Sequence, residues 1–443
     1  MSQGLEQFQG RKVDEGRVLH RVIQNFLMNW GWSPKQICQA SLRRALRNDV
    51  FLISYKLKGF SRRQLHIQKA ITEQDITGLN KVQPDDKVYV AMSGGVDSST
   101  IAAMLSSKFG TDRVEGVFMN NWTSLSKCQE ASWRDVQETG RFLGIRTRRV
   151  DLEHDYWTEV FEPMLQAYQQ GDTPNPDVSC NKYIKFGNLI KELKKQDPNL
   201  KWLASGHYVG LSPNENLVRR PVYLPKDQSY YLATVEPEIL KHALFPLASK
   251  TKPDVRELAR QLGLTKAANK PDSQGLCFVE QQEEFGARGF RKFLSEYLNE
   301  APGPVVRADD LNNVVGEHRG LWTHTIGQRA SVPMPQGSPN SKGKWFVVGK
   351  DKERNALIID RGSNAPSLFT DRVVSKDFKW HRLPRSSDLW AQYRSLQSPW
   401  QIQSWTHNSD LVLTFKESRR AVAPGQYIVV YENDTIIGAG TIA

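Results

Sequence analysis

KVYVAMSGGVDSST (residues 87–100), running on as IAAMLSSKFG (101–110) and answered by VEGVFM (114–119), is the stretch on which the fold turns. Lys87 to Met92 is a short β-branched and aromatic run. A Gly/Ser turn follows, then an apolar segment from Ile101 to Phe109 closed by Gly110, which reads as strand, loop and helix. Val114 to Met119 supplies a second strand, so the segment predicts one βαβ unit of a doubly wound parallel sheet, an α/β fold. The loop Ser93-Gly94-Gly95-Val96-Asp97-Ser98-Ser99 falls where the first N–H groups and the dipole of a helix converge on an anion. Two glycines let the backbone approach closely, the hydroxyls of Ser93, Ser98 and Ser99 can donate to phosphate oxygens, and Asp97 can hold Mg²⁺ against a pyrophosphate. The loop lacks the GK[ST] ending of a Walker loop and is not GxGxxG. A bare SGG before a helix would be equally consistent with a tight turn. The full heptapeptide after a buried strand reads as a phosphate cradle.

Outward from this unit, Trp157, Val160, Phe161, Met164, Leu165 and Tyr168 recur at helical spacing as core residues, with Pro163 expected to kink or interrupt the helix. Trp202 to Ser205 reads as another buried strand, ending at Gly206-His207-Tyr208. From about Pro302 the pattern changes to short alternating strands, among them Trp345 to Val348, Ala356 to Ile359, Leu411 to Phe415, Tyr427 to Tyr431 and Thr435 to Ile437. The last 140 residues therefore form one or two small β domains.

The chain has 443 residues, 39% hydrophobic and 24% charged, enough for two or three domains. No apolar run approaches the ~18 residues of a membrane span, so no membrane partner is expected. Cys38, Cys128, Cys180 and Cys277 contain no CxxC pair, which argues against a zinc site or a disulfide scaffold and for reduced thiols. The net charge is +12, and residues 1–80 carry 13 Lys and Arg against six Asp and Glu. Between Met28 and Ala70 there are nine basic residues and a single acid, Asp49. That is the profile of a mitochondrial transit peptide, the alternatives being an RNA-contacting arm or a solubilising tail. Because Glu6, Asp14 and Glu15 suit an import signal poorly, Met28 is the expected functional start, or residues 1–27 are dispensable, with removal of the leader before the folded part begins near Pro84.

Two cysteines lie on loops with polar flanks: Cys180 in TPNPDVSCNK (173–182) and Cys277 in DSQGLCF (272–278). Either alone reads as a small buried hydrophobe, but a thiol so placed can acquire thiolate character. SGGVDSS resembles the PP-loop of the ATP pyrophosphatases, which cleave ATP between its α and β phosphates. TPNPDVSCNKYIKF, LASGHY (203–208), KDQSYYL (226–232), FPL at Phe245, DSQGLCF, GEHRGLWTHTIGQR (316–329) and AVAPGQ (421–426) resemble, in this order, the tRNA-specific 2-thiouridylases, and the likeness runs from about residue 86 to the C-terminus. With the basic leader, the resemblance is to the mitochondrial form.

The resemblance implies a chain divided into a leader (1–84), a PP-loop catalytic domain with both cysteines (85–290), a small central β domain (291–363) and a C-terminal β-barrel (364–443). It implies ATP binding by Ala91, Met92, Ser93, Gly94, Gly95, Val96, Asp97, Ser98 and Met119, with Gly206 closing over the nucleotide. Asn175, Pro176 and Asp177 would meet the target base. His207, Lys226, Asp227, Gln228 and Gln426 would contact tRNA, as would Gln392 and Tyr393 where the likeness is weaker. Cys277 would carry a persulfide delivered by a sulfur carrier protein, and Cys180 would complete sulfur release through a transient Cys180–Cys277 disulfide. Apart from the resemblance, a monomer is expected, although no residue pattern fixes the oligomeric state. The chemistry is coherent in itself: adenylation turns the uracil oxygen into a leaving group, persulfide sulfur attacks the ring carbon, and a second thiol resolves the sulfur–sulfur bond. Asp177 is an acid or base in this step or a loop cap, and His207 is a tRNA contact or a satisfied structural histidine. Against the resemblance stand Lys270-Pro271-Asp272 before the Cys277 loop, the Pro/Gly/Ser-rich stretch Ser331 to Lys344, and the long leader. The rivals are a PP-loop enzyme acting on a small molecule, which gives two loop-borne thiols no role, and a noncatalytic RNA-binding protein, against which the intact Asp97 and both cysteines weigh.

Overall fold

The computed structural model describes residues 79–122, 127–272, 287–332 and 343–443. The leader up to residue 78, with Cys38, and the segment bearing Cys277 lie outside the described residues.

Strand β1 (Val88–Ala91), helix α1 (Val96–Phe109) and strand β2 (Val114–Asn120) form the expected unit. Gly110, at φ +97°, ends α1 in a conformation that L side chains rarely adopt. Helix α2 (Lys127–Leu143) leads to β3 (Arg146–Asp151), and β4 (Trp202–Ser205) and β7 (Ala243–Leu244) complete a parallel sheet in the order β3-β2-β1-β4-β7. The strand order reverses at β1, where Ala91 pairs with Val117 on one side and Ser205 on the other. In open parallel sheets the crevice beyond the carboxyl ends of the strands at such a reversal is where ligands bind. Here that crevice is flanked by Ser93-Gly94-Gly95 after β1 and Gly206-His207-Tyr208 after β4.

Each face of the sheet has its own core. On one side α1, buried nearly all round, packs with Val255, Leu258 and Ala259 of α5 (Lys252–Gln261). On the other side lie α3 and α4. Helix α3 comprises Glu153–Tyr156, a π-helical turn Trp157–Phe161, and Glu162–Gln169; α4 comprises Pro176–Ser179, a π-helical stretch Cys180–Asn188, and Leu189–Gln196. Pro163 does not interrupt α3. It occupies the opening turn of the last segment, directly after the π turn, where the ladder is already re-spaced and its missing N–H costs least. Trp157, expected in the core, is 41% exposed, because the π turn rotates it out of line with buried Val160 and Phe161.

Strands β8 (Gly303–Arg307), β9 (Asp310–His318), β10 (Trp345–Asp351) and β11 (Ala356–Arg361) form a four-stranded sheet ordered β10-β11-β8-β9. The C-terminal strands β12 (Phe369–Ser375), β14 (Leu389–Gln392), β15 (Trp400–His407), β16 (Leu411–Arg420), β17 (Tyr427–Glu432) and β18 (Thr435–Thr441) join the order β12-β16-β15-β14-β17-β18, and β13 (Lys379–Trp380) also pairs with β18. A hairpin from the α/β part, β5 (Gly210–Leu211) and β6 (Val218–Arg219), extends this sheet through Thr435 opposite Arg219. Val429, Tyr431, Ile436 and Ala439 accordingly share a core with α3 and α4. Among the described residues no helix is long and apolar enough to cross a membrane.

The small β sheet carries a pH dependence. His324, one of whose nitrogens is buried without a partner, is pushed by burial and by neighbouring His318 from 6.5 down to about 4. Its folded form therefore resists a proton that the unfolded chain accepts below 6.5. The sign follows: nothing is lost above pH 6.5, and stability falls by ~1.4 kcal/mol per pH unit below it, about 2 kcal/mol by pH 5. Denaturation of the whole chain at pH 7 and pH 5 should show at least this loss, since buried His207 adds to it with the same sign, and His324→Gln should reduce it by about 2 kcal/mol. An unchanged slope in the variant would remove His324 as the cause.

Candidate nucleotide and thiol site

The phosphate loop is shaped by contacts, not by its glycines alone. Gly94 stands at φ +73°, and a side chain there would meet the Ser132 carbonyl oxygen at 2.8 Å. Ser98 Oγ accepts from the Ser93 N–H at 3.2 Å and donates to the Gly95 carbonyl at 3.2 Å, closing the loop on itself. Gly95 precedes α1 without a side-chain cap, so the first N–H groups of the helix remain available to an anion. Ser93 is exposed at the mouth; Ser99, counted among the phosphate donors from sequence, is fully buried inside α1 and does not reach it. Met119 stands half-buried near the end of β2, two residues past the Val117 partner of Ala91. Met92 and Val96 are buried. Gly206 lies against the start of α1: a Cβ there would sit 3.1 Å from Asp97 Cβ and 3.2 Å from Ser98 N. These residues fit a nucleotide polyphosphate.

They do not make a protein-held metal site. Both oxygens of Asp97 accept from Lys252 Nζ, at 2.8 and 2.7 Å, and Oδ1 also accepts from the Tyr208 hydroxyl at 2.9 Å. Among the described residues no three His, Cys, Asp or Glu gather into a cluster that could hold a metal ion. The carboxylate expected to anchor Mg²⁺ is thus occupied by an ammonium.

Gly206 touches the phosphate loop, and His207 next to it reaches the thiol helix. Lys185 Nζ, which can only donate, lies 3.4 Å from His207 Nε2, so Nε2 accepts and Nδ1–H donates to Ser205 Oγ at 2.8 Å. His207 is buried, and burial together with Lys185 drives its imidazole well below the usual range, leaving it neutral. Lys185 sits one π turn after half-buried Cys180. Cys180 and Asp177 both fall in the opening turns of α4, where the helix N-terminus favours negative charge. Burial nevertheless pushes the Asp177 carboxyl above its ordinary range, with Lys185 opposing, which suits a group that exchanges a proton. Asn175 is half-buried beside buried Pro176 at the head of α4.

The remaining expected RNA contacts divide by exposure. Lys226 is half-buried on a 3₁₀ turn, Leu224–Lys226, and pairs with Asp272 at 2.5 Å. Gln228 accepts from the Tyr208 N–H at 3.0 Å, behind the phosphate loop. Asp227 is buried between Arg220 Nε at 2.6 Å and the Ser229 N–H at 2.9 Å. Gln392 accepts from the Tyr431 hydroxyl at 2.7 Å and Tyr393 donates to the Arg420 carbonyl at 3.2 Å; both are buried in the C-terminal sheet. Gln426 donates to the Thr173 carbonyl at 2.7 Å, and the Thr173 N–H donates to the Pro424 carbonyl at 2.9 Å. The C-terminal APGQ turn thus clamps the loop that precedes Asp177 and Cys180.

Lys252, Asp272, Arg256 and Lys185 escaped the reading of the sequence as site residues. Around Lys252 the only local signal is a capping box between Thr251 and Asp254, which marks a helix start and no chemistry.

Three family models match in succession: a tRNA methyl transferase HUP domain over residues 86–281, a tRNA methyl transferase PRC-barrel domain over 291–361, and an aminomethyltransferase beta-barrel domain over 370–442. The chain is 39% identical over 388 residues to the mitochondrial tRNA-specific 2-thiouridylase 1 of Saccharomyces cerevisiae, covering 81% of this chain and 92% of that protein. It is 40% identical over 408 residues to the Schizosaccharomyces pombe protein of the same name, covering 85% and 97%. It is 38% identical over 367 residues to the tRNA-specific 2-thiouridylase MnmA of Tolumonas auensis, covering 80% and 96%.

Proposed function

This chain belongs to the tRNA-specific 2-thiouridylases, and from that premise we propose that it replaces the C2 oxygen of the wobble uridine of mitochondrial tRNAs by sulfur. ATP, as co-substrate, would supply the activation that makes the uracil oxygen a leaving group. The loop Ser93 to Ser98 and the N-terminus of α1 would hold its phosphates, Ala91, Met92 and Met119 its nucleoside, and Gly206 would close against it. Asp177 would move the proton that accompanies transfer. Cys277 would bring the sulfur as a persulfide from a carrier protein, and the Cys180 thiolate would attack Cys277 Sγ, releasing the thiolated base and leaving a disulfide for a cellular thiol to reduce.

The observation that carries this reading is the continuity of Gly206 and His207. Gly206 packs so closely on the phosphate loop that a Cβ there would stand 3.2 Å from Ser98 N, and His207 meets Lys185 on the Cys180 helix, so two adjacent residues link the nucleotide cradle to the helix that bears the thiol. A small-molecule adenylating enzyme would have no use for a thiol there. For the tRNA, the half-buried Asn175, Lys226, Gln228 and Gln426 are the accessible members of the proposed set, while buried Asp227, His207, Gln392 and Tyr393 support the surfaces around them. The test is mass spectrometry of mitochondrial tRNA from cells lacking the protein. Loss of 2-thiouridine, restored by the wild-type chain, is the expected result; unchanged thiolation refutes the reading.

A further inference from the structure

One carboxylate joins the nucleotide cradle to the expected RNA contact. Asp272 Oδ1 receives Lys252 Nζ at 3.0 Å and Arg256 Nη2 at 2.7 Å, and Oδ2 receives Lys226 Nζ at 2.5 Å. Burial opposes the charge, yet the lysines outweigh it and hold the Asp272 carboxyl at about 2, so it is ionised at any physiological pH.

Its three cations are not equivalent. Arg256 also donates to the carbonyls of Ala268 and Lys270, at 2.5 and 3.0 Å, which fixes its guanidinium. Lys252 has 9% of its side chain exposed and is shared with Asp97. Only Lys226, 35% exposed on a flexible stem, is free to exchange Asp272 for an arriving anion.

We propose that Asp272 is a specificity-determining residue that withholds the Lys226 ammonium from polyanions, so that an RNA must supply other contacts before it captures this lysine. The inference rests on the proposed tRNA-thiolating function and deepens it. A basic protein binds any RNA through phosphate neutralisation, independent of sequence. Discrimination then requires a cost charged to the wrong partner, and an intramolecular carboxylate already paired with the contacting lysine imposes it. A non-substrate RNA that offers only phosphate gains little by exchanging the Lys226–Asp272 pair for a Lys226–phosphate pair, whereas a tRNA already held at the Asn175 region binds through those contacts and makes the exchange in place.

The experiment measures binding of a substrate tRNA transcript and of poly(A) to the full chain at several salt concentrations, for wild type, Asp272→Asn, Lys226→Met and the double variant, each checked for an unchanged melting temperature. Asp272→Asn should bind poly(A) about threefold more tightly, and log K should fall with log salt more steeply by roughly 0.7, one more phosphate contact on a single strand. The gain for substrate tRNA should be smaller. The double variant should bind poly(A) as Lys226→Met does, because the carboxylate acts through that lysine. An equal gain from Asp272→Asn in the Lys226→Met background, or no gain at all, overturns the inference. If wild type neither prefers substrate tRNA nor thiolates it, the functional reading fails instead.

Discussion

A Cys180→Ser protein, charged with labelled persulfide sulfur and given ATP and tRNA, is expected to keep its label and to yield no 2-thiouridine, while Cys277→Ser accepts no label at all. Both substitutions are expected to abolish thiolation, but at different steps. Cys180 opens the π-helical stretch of a helix that begins at Pro176, close to the helix N-terminus, and Lys185 lies one turn further on. The thiolate is the form that attacks a sulfur–sulfur bond. A serine hydroxyl at the same place stays protonated and cannot resolve it, so turnover should fall by at least ~10³-fold, in the range found when a nucleophile of a catalytic set is lost. Affinity for tRNA should be unchanged. Label on the Cys277→Ser protein equal to wild type would remove Cys277 as the persulfide carrier, and exchanged behaviour of the two variants would reverse their roles.

The second large effect belongs to Asp97. Asp97→Asn keeps the shape of the side chain but removes the charge that both hydrogen bonds from Lys252 address, at 2.7 and 2.8 Å. Lys252 is then a buried ammonium with Asp272 as its remaining ion-pair partner, and breaking a buried pair from one side costs about 3–5 kcal/mol where nothing else compensates. Because Asp272 persists, the stability loss should stay below that range, but the geometry at the mouth of the phosphate loop should not survive. Pyrophosphate release in the presence of tRNA is expected to drop by about 10²-fold or more, the scale of losing one preorganised donor at a reacting phosphate, here through the disturbed Lys252 ammonium and helix N-terminus. Affinity for tRNA should hold within twofold. A helix-capping role is no alternative, since α1 has no side-chain cap. Near-normal pyrophosphate release by Asp97→Asn would make Asp97 a structural partner of Lys252 and nothing more.

What was legible in the sequence is what local chemistry encodes. A strand, a Gly/Ser turn and a helix follow one another within residues 88–109 because alternation, glycine and apolar run act over a few residues, and the chain realises them nearly where they were read. The same holds for Trp202–Ser205 and for the strand series beyond Pro302. Motif content named the family, and the roles expected of Cys180 and Cys277 came with that resemblance. The tertiary structure alone decided how these pieces meet. Lys252 pairs with Asp97 across 155 positions and Gln426 clamps Thr173 across 253, and no periodicity reports such a contact. The β5–β6 hairpin leaves its own part of the chain to extend the C-terminal sheet, because exposed strand edges are satisfied by whichever backbone is near in space. Burial is equally non-local. Asp227 and His207 are polar and sit in motifs, and Gln392 and Tyr393 are polar where the likeness is weaker; by sequence these are expected contacts, yet each finds its partners inside the protein. A polar side chain is removed from water when the fold supplies its hydrogen bonds, and that supply is a property of the assembled chain rather than of any segment of it.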